Sequence, residues 1–227
     1  MDAKQRAGEW AAAQVKDGMA VGLGTGSTAE WFTKALARRV REEGLALRMA
    51  SSSSHATTAL ASGLGISLTP LEQVEALDLY ADGADEWDPG KRLIKGRGGA
   101  MVREKHLVQL SARFLVLVDP SKRVDRLGRN FPVPVEVFPF AALLVANELK
   151  RLGAKVVLRP APDGDGPWVT DQDCHILDAR FDAAADVAGL DAVIQCIPGV
   201  VGHGLFTRYA DRITVAVGHA DRVEVIG

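Results

Sequence analysis

Two apolar runs place the strongest limits on the fold of this chain, because almost none of their side chains suits a strand with one face in solvent. MAVGLG (19–24) and FLVLVD (114–119) lack the alternation of polar and apolar residues expected of a half-exposed strand. Such runs are typical of parallel strands that helices cover on both faces. Between them Phe32, Leu36 and Val40 recur at every fourth position, which indicates one face of a helix. Strands that alternate with helices in this way predict an α/β fold built on a mostly parallel sheet.

The same patterns predict the remaining elements. Helices are expected at 2–16, 29–43, 57–64, 100–112, 141–152 and 183–196. Strands are expected at 19–24, 47–53, 66–71, 77–82, 92–96, 114–119, 155–160 and 212–218, with a hairpin at 168–181 that turns at Asp171–Asp173.

A proline-rich segment divides the chain. RLGRNFPVPVEVFPF (126–140) marks a crossing to a second unit, in which helices and strands suggest a small α+β domain of ferredoxin-like type at 129–202. The apolar strand 212–218 fits the first sheet better than the second. We therefore predict a Rossmann-like domain of residues 1–128 plus 203–227, into which the smaller domain is inserted.

Composition limits the classes of partner and compartment. The chain has 227 residues, 47% hydrophobic and 25% charged, with a net charge of −2 and basic residues spread along its length. These values are typical of a globular protein and do not indicate a nucleic-acid surface. Two cysteines, no apolar leader and no apolar stretch of membrane-spanning length predict a cytoplasmic protein without a membrane partner.

GLGTGST (22–28) lies between a predicted strand and helix, where backbone N–H groups and the helix dipole favour a phosphate. Its third glycine, Gly26, falls one place too early for the dinucleotide fingerprint, and no Gly-Lys-Ser/Thr closes a Walker A loop. Hydroxyls at Ser27 and Thr28 suit a phosphomonoester, although a glycine turn with a Ser/Thr N-cap explains the loop equally well. SSSSHATT (51–58) is a second polar loop expected at the same edge of the sheet.

Acids and bases gather around glycines between Asp82 and Lys105. Asp82 ends an apolar strand and Asp85 follows a turn, so the two carboxylates can bind sugar hydroxyls or exchange protons with them. A metal is the competing interpretation, but the calcium-loop pattern is absent and no histidine stands at ligand spacing. Glu86 and Asp88 are interpreted as solvated turn acids.

KGRGGAMVREK (95–105) supplies the remaining candidates. Lys95 ends a strand, and its ammonium can stabilise negative charge on a substrate oxygen. Glu104 can serve as a general base if it is shielded from water; the alternative is a solvated Arg-Glu-Lys helix face. Gly96, Gly98 and Gly99 leave space for a ligand, and Lys122 follows the strand 114–119 at the same edge.

Together these motifs resemble one family. GLGTGSTA, YADGADE, IKGRGGAMVREK, DPSKRVDRLG and FPVPVEVFP are similar, in order and over nearly the whole chain, to type A ribose-5-phosphate isomerase. The resemblance implies interconversion of D-ribose 5-phosphate and D-ribulose 5-phosphate through a cis-enediolate, in the pentose phosphate pathway, without metal or organic cofactor. It also implies a homodimer or homotetramer, and we assign the oligomerisation role to the smaller domain.

The resemblance assigns roles residue by residue. Glu104 matches the base that moves the proton between C2 and C1, and Lys95 matches the cation that stabilises the enediolate. The other matching positions are the carboxylates Asp82 and Asp85 near the sugar oxygens, Gly96, Gly98 and Gly99 lining the site, Thr25, Gly26, Ser27 and Thr28 at the phosphate, and Lys122 at the substrate. Two departures stand out. Gln5 occupies the place of an N-terminal phosphate lysine, with Lys4 and Arg6 beside it, and His55 replaces an acid found in some members.

Two other functions stay open beside this one. A phosphosugar-sensing module without catalysis uses a related fold, although only 18 residues precede the first predicted strand and leave no room for a helix-turn-helix segment. An amino-sugar phosphate deaminase should need a histidine in its site, and the key motifs offer only His55 and His106.

Overall fold

A computed structural model describes residues 2–182 and 186–227. In this part of the chain the strands are β1 Ala20–Leu23, β2 Met49–Ser52, β3 Leu77–Gly83, β4 Glu86–Trp87, β5 Leu93–Ile94, β6 Ser111–Val118, β7 Val133–Val137, β8 Lys155–Leu158, β9 His175–Arg180, β10 Val200–His203, β11 Leu205–Phe206, β12 Ile213–Gly218 and β13 Val223–Ile226. The α-helices there are α1 Ala3–Ala13, α2 Ser27–Glu42, α3 His55–Gly63, α4 Met101–Leu110, α5 Ala142–Arg151 and α6 Asp191–Gln195.

The chain forms two compact units. The first comprises Met1–Ala84, Arg103–Lys122 and Asp211–Gly227, and the second comprises Asp85–Val102 and Arg123–Ala210. These bounds differ from the predicted domains, 1–128 plus 203–227 and 129–202, chiefly at 85–102. That segment belongs to the second unit because β4 pairs with β5 and β5 with β11 in a small antiparallel sheet.

The sheet of the first unit has the order β2-β1-β3-β6-β12-β13 among the described residues. Adjacent strands of this sheet run parallel to each other, except that β12 and the edge strand β13 are antiparallel. Helices α1 and α2 bring Ala11, Phe32 and Leu36 into one apolar cluster with Val21 and Leu79 of the sheet. The prediction of a mostly parallel sheet is thereby confirmed, and the strand expected at 212–218 joins it as β12, beside β6.

Three local predictions need correction. No strand forms at 66–71, where one hydrogen bond joins Thr69 N to Ala50 O and Pro70 is followed by a 3₁₀ turn. Of the helix expected at 183–196, residues 183–185 lie outside the described part, and the rest is a 3₁₀ turn at Val187–Leu190 followed by the short α6, since Gly189 is a poor helix former. The hairpin turns as predicted, but its first arm is reduced to an isolated bridge between Val169 and His175.

The second unit contains a separate antiparallel sheet of order β10-β7-β9-β8. One of its two central strands, β7, lies within the proline-rich segment 126–140, and all five residues of this strand are buried. Val145 and Leu149 of α5 join Val133, Val135 and Val137 in the core of this unit. This sheet with its helices confirms the predicted smaller α+β domain. In the described residues no helix is both long enough and apolar enough to cross a membrane.

Glu86 and Asp88 are buried, so their interpretation as solvated turn acids is wrong; both have 0% exposure. The Glu86 carboxylate accepts hydrogen bonds from the backbone N–H groups of Gly128 and Phe131 at 2.7 and 2.8 Å, and from the intervening Asn130. Asp88 accepts from Arg92 N at 3.0 Å and Nε at 2.7 Å. Both carboxylates therefore take the place of water as hydrogen-bond acceptors for these N–H groups.

We expect the Glu86→Gln variant to lose about 2 kcal/mol of unfolding free energy, because an amide group presents N–H donors where backbone N–H groups require an acceptor. Urea denaturation followed by circular dichroism measures the change. Glu42→Gln, at an exposed position near the end of α2, is the matched control and should change stability by less than about 0.5 kcal/mol. Equal stability of the two variants would contradict the structural role of Glu86.

Candidate active site

The loop between β1 and α2 presents a helix end without a side-chain cap. The N-cap is Gly26, which has no side chain, and no side-chain hydrogen bond satisfies this end of the 16-residue helix. The alternative of a hydroxyl N-cap therefore fails, since Ser27 and Thr28 lie inside the first turn. First-turn N–H groups together with the helix dipole favour an anion at this point.

Lys4 of α1 reaches the same loop. Its Nζ donates to Ser27 Oγ at 2.9 Å. The neighbouring candidates point elsewhere: Gln5 bonds to a side chain within α1, and Arg6 donates to carbonyl groups at 219 and 220. Of the three N-terminal residues that the sequence left open, Lys4 is the one that contacts the loop predicted to bind phosphate.

A cluster of hydroxyl groups supports the loop from the side of β2. Thr25 Oγ1 lies 2.6 Å from Ser53 Oγ and 2.8 Å from Ser54 Oγ, and Thr57 Oγ1 donates to Gly24 O at 2.9 Å. Ser54 also caps α3 by accepting from Thr57 N. Residues 51–58 therefore hold the loop between β1 and α2 in place. His55 is exposed at the first position of α3.

Asp82 is fully buried where β3 approaches its end. Its Oδ1 accepts from Thr25 N at 3.1 Å and from Gly83 N at 2.7 Å, while Oδ2 accepts from the Tyr80 hydroxyl. Donors on both oxygens fix the direction of the carboxylate. The site thus connects the predicted phosphate loop to a predicted catalytic acid within the first unit.

Gly24 contributes by having no side chain. A Cβ at this position would lie 2.3 Å from Cγ and from Oδ1 of Asp82, so only glycine lets the carboxylate lie against the loop. Sequence reasoning recognised the glycine-rich loop but assigned no role to this residue. The signal was its place directly after the apolar strand, next to the parallel strand that carries Asp82.

Tyr80 was also missed, although it stands two positions before Asp82 on the same face of β3. Its ring is fully buried and stacks on Phe114, with centroids 5.0 Å apart. Burial, followed by the charges of Asp82 and Glu104, raises the pKa of the Tyr80 hydroxyl well above its ordinary value of 10.0. The hydroxyl therefore stays protonated and acts as a donor.

Glu104 lies in the first turn of α4 and is only 4% exposed. A solvated helix face is thereby excluded for this residue. The charge of Glu104 is one of the causes that raise the pKa of the Tyr80 hydroxyl, after burial and the charge of Asp82. Lys122 follows β6 in a 3₁₀ turn and is partly exposed.

The second unit carries the other predicted residues. Asp85 Oδ2 accepts from Arg97 N at 3.0 Å, and Asp85 N donates to Ile94 O at 2.8 Å. Lys95 follows β5 and is 3% exposed, with Nζ 5.7 Å from the centroid of the Phe206 ring. A buried ammonium group beside an aromatic ring is poorly screened by water, so it acts strongly on nearby negative charge.

Two of the glycines after Lys95 are required by the packing of the protein itself, apart from any role in binding a ligand. Gly96 and Gly99 have φ of 105° and 77°, and a Cβ at either would approach a side chain to 2.9 Å. Arg159 Nη1 donates to the carbonyl oxygens of Gly96 and Arg97 at 3.0 and 2.9 Å, which the sequence did not suggest. Gly98 is exposed.

The predicted site residues are thus divided between the two units. The first unit contains Thr25, Gly26, Ser27, Thr28, Asp82, Glu104 and Lys122, and the second contains Asp85, Lys95, Gly96, Gly98 and Gly99.

Comparison with known proteins decides the family. Residues 49–221 match the family described as ribose 5-phosphate isomerase A (phosphoriboisomerase A). A protein of Thermosynechococcus vestitus named ribose-5-phosphate isomerase A is 49% identical over 212 residues, which cover 93% of this chain and 90% of that protein. The chain belongs to the ribose-5-phosphate isomerase A family.

Solved structures agree with this membership. A ribose 5-phosphate isomerase A from Methanocaldococcus jannaschii is 39% identical, with a TM-score of 0.92 over 98% of this chain and 97% of that one. A D-ribose-5-phosphate isomerase in complex with phospho-erythronic acid is 36% identical, with a TM-score of 0.91 over 98% and 96% of the two chains. This member of the ribose-5-phosphate isomerase A family is therefore an enzyme that isomerises ribose 5-phosphate, and a sensor or a deaminase is not favoured.

We expect Gly24→Ala to lower kcat by about 100-fold, since the new methyl group displaces the Asp82 carboxylate and small misplacements of reacting groups have effects of this size. Steady-state kinetics with ribose 5-phosphate measures the loss, and circular dichroism shows whether the fold is kept. Gly63→Ala is the control, because a Cβ there meets nothing within 4 Å. A Gly24→Ala enzyme with kcat similar to that control would overturn the assigned role of Gly24.

Proposed function

We propose that Glu104 is the base of the isomerisation, and its burial in the first turn of α4 is the observation that carries this assignment. A carboxylate shielded from bulk water is available to a substrate proton and is not masked by solvent hydrogen bonds. Glu104 takes the proton from C2 of the open-chain aldose. The carbonyl at C1 receives the electron pair, which gives a cis-enediolate. Return of the proton to C1 then gives the ketose.

Asp82 and Asp85 serve the sugar oxygens in this proposal. Ring opening and the shift of the carbonyl group from C1 to C2 both require proton transfers at hydroxyl groups, for which carboxylates are suited. In the shift, the C2 hydroxyl loses its proton and the C1 oxygen gains one. The fixed direction of the Asp82 carboxylate supports this role. Lys95 supplies the positive charge that a developing enediolate oxygen requires. The burial of this residue supports the assignment.

The phosphate end of the substrate is assigned to the loop before α2. The uncapped helix end supports binding of a dianion by Thr25, Gly26, Ser27 and Thr28. We add Lys4 to this set because its ammonium already contacts the loop at Ser27. A solved relative in complex with phospho-erythronic acid supports a phosphorylated ligand of this kind. Lys122, Gly96, Gly98 and Gly99 complete the proposed substrate contacts.

We expect Glu104→Gln to lose at least 1,000-fold in kcat while KM changes little, because the amide keeps the shape of the side chain but cannot accept the proton. The assay incubates EDTA-treated protein with ribose 5-phosphate in D2O and follows ketose formation and deuterium at carbon. Wild-type turnover after chelation also tests the prediction that no metal takes part. A variant with near-normal kcat would refute the base, and Glu42→Gln is the control for loss of a carboxylate elsewhere.

The second unit also supports the proposal of a homodimer or homotetramer. Phe138, Phe140, Leu143 and Leu144 are 47%, 87%, 75% and 49% exposed, and they form a continuous segment at the start of α5. The rings of Phe138 and Phe140 stack with centroids 5.7 Å apart, which presents a flat apolar surface. Apolar area of this kind is characteristic of subunit interfaces.

The free thiols of Cys174 and Cys196 fit a cytoplasmic enzyme.

We expect the double variant Phe140→Asp with Leu143→Asp to shift the particle mass downward by a factor of two, because two charges would have to be buried in the interface. Sedimentation velocity at micromolar concentration measures the mass. Val225→Asp, a similar change on the edge strand β13, should leave the mass unchanged. If the double variant and the wild-type protein have the same mass, this surface is not the interface.

A further inference from the structure

Arg159 holds the loop that follows Lys95 but has no place in the chemistry proposed above. It stands directly after β8, and its side chain is only 11% exposed. Its Nε donates to Asp178 Oδ2 on β9 at 2.9 Å, and its Nη2 donates to Oδ1 of the same carboxylate. A bidentate pair of this kind fixes the plane of the guanidinium group, so the direction of Nη1 is fixed as well.

The Nη1 atom of Arg159 binds the glycine loop. It donates to Gly96 O at 3.0 Å and to Arg97 O at 2.9 Å, with one N–H group for each carbonyl oxygen. Trp168 lies beside both partners, because its ring centroid is 5.6 Å from Arg159 Cζ and its Nε1 would lie 2.9 Å from a Cβ at Gly99. The loop therefore packs against a cation whose position is set by a carboxylate and an aromatic ring.

One peptide group of this loop joins Arg159 to Asp85. Its carbonyl oxygen belongs to Gly96 and accepts from Arg159, while its N–H belongs to Arg97 and donates to Asp85 Oδ2 at 3.0 Å. Because a peptide group is planar, fixing the carbonyl oxygen also fixes the direction of the N–H. A cation at the carbonyl oxygen polarises the peptide group and strengthens the hydrogen bond that its N–H donates. The donor that faces Asp85 thus depends on Arg159 for both its direction and its strength.

We propose that Arg159 is a positioning residue that directs the Asp85 carboxylate toward the sugar oxygens through the Gly96–Arg97 peptide group. The inference rests on the proposed role of Asp85 and adds the residue that orients it. Arg159, Asp178, the glycine loop and Asp85 all belong to the second unit. In this arrangement Arg159 acts through the peptide group rather than on a substrate atom.

The test is Arg159→Lys, which keeps a positive charge beside Asp178 but lacks the planar fork that reaches the carboxylate and the loop together. We expect kcat for ribose 5-phosphate to fall about 30-fold, since a small misplacement of a reacting group has effects of this order. KM should stay within about threefold of wild type, because the residues assigned to the phosphate group are unchanged. Steady-state kinetics measures both constants, and circular dichroism shows whether the fold is kept.

Arg180→Lys is the matched control. Arg180 is an exposed residue of the same unit, and its Nη2 also donates to a backbone carbonyl oxygen, that of Asn130, at 3.1 Å. This variant should keep the kcat of the wild-type enzyme. An Arg159→Lys enzyme with the same kcat as Arg180→Lys would overturn the proposal.

A double-mutant cycle distinguishes positioning of Asp85 from a general loss of packing. Asp85→Asn alone should lower kcat by about 100-fold or more. Adding Arg159→Lys should then cost no more than about twofold, because both changes act on the same group. If Arg159→Lys does not fold, Asp178→Asn replaces it in the cycle, with an expected loss of about tenfold alone and about twofold or less beside Asp85→Asn.

The outcomes of the cycle separate this inference from the function on which it rests. Losses that multiply in the double variant would overturn the role of Arg159 alone. An Asp85→Asn enzyme with wild-type kcat would refute the proposed role of Asp85 and this inference with it. A wild-type protein that does not isomerise ribose 5-phosphate would refute the proposed function as a whole.

Discussion

Removing a carboxylate from water is costly unless protein donors replace the water, and the fully buried Asp82, near the end of β3, meets this requirement. The backbone N–H of Thr25 donates to its Oδ1, and the Tyr80 hydroxyl donates to its Oδ2. Much of the surrounding structure serves this arrangement. Gly24 has no side chain to obstruct the carboxylate, and the hydroxyl cluster fixes the loop that carries Thr25.

The sequence was most informative where burial determines the residue type. Strands covered on both faces must be apolar, so 19–24 and 114–119 identified the parallel sheet, and the polar residues at their ends predicted which edge of it carries the site. Glu86 was misinterpreted because hydrogen bonds from distant backbone groups leave no local pattern in the sequence. Glu86 is satisfied by N–H groups more than forty positions later in the chain.

Long-range pairing also explains the differences in domain bounds. β5 consists of two residues, and its pairing with β11, over a hundred positions later, helps to place the segment around Lys95 in the second unit. Periodicity within a segment cannot reveal such a partner. Tyr80 illustrates a different limit: an aromatic residue in an apolar strand is ordinary core material until its hydroxyl is seen to donate to an acid. The roles assigned by family resemblance did not depend on either feature.

The contact between α1 and the end of β12 ties the two ends of the chain together. Gly218 lets the carbonyl of Ala3 approach to a distance that any Cβ would forbid, and Arg6 bonds to His219 O across 213 positions of sequence. Lys4 lies between these two anchored residues, and its ammonium group reaches Ser27 from there. A side chain at position 218 would therefore disturb the N-terminal helix that carries Lys4, although the two positions are more than two hundred residues apart.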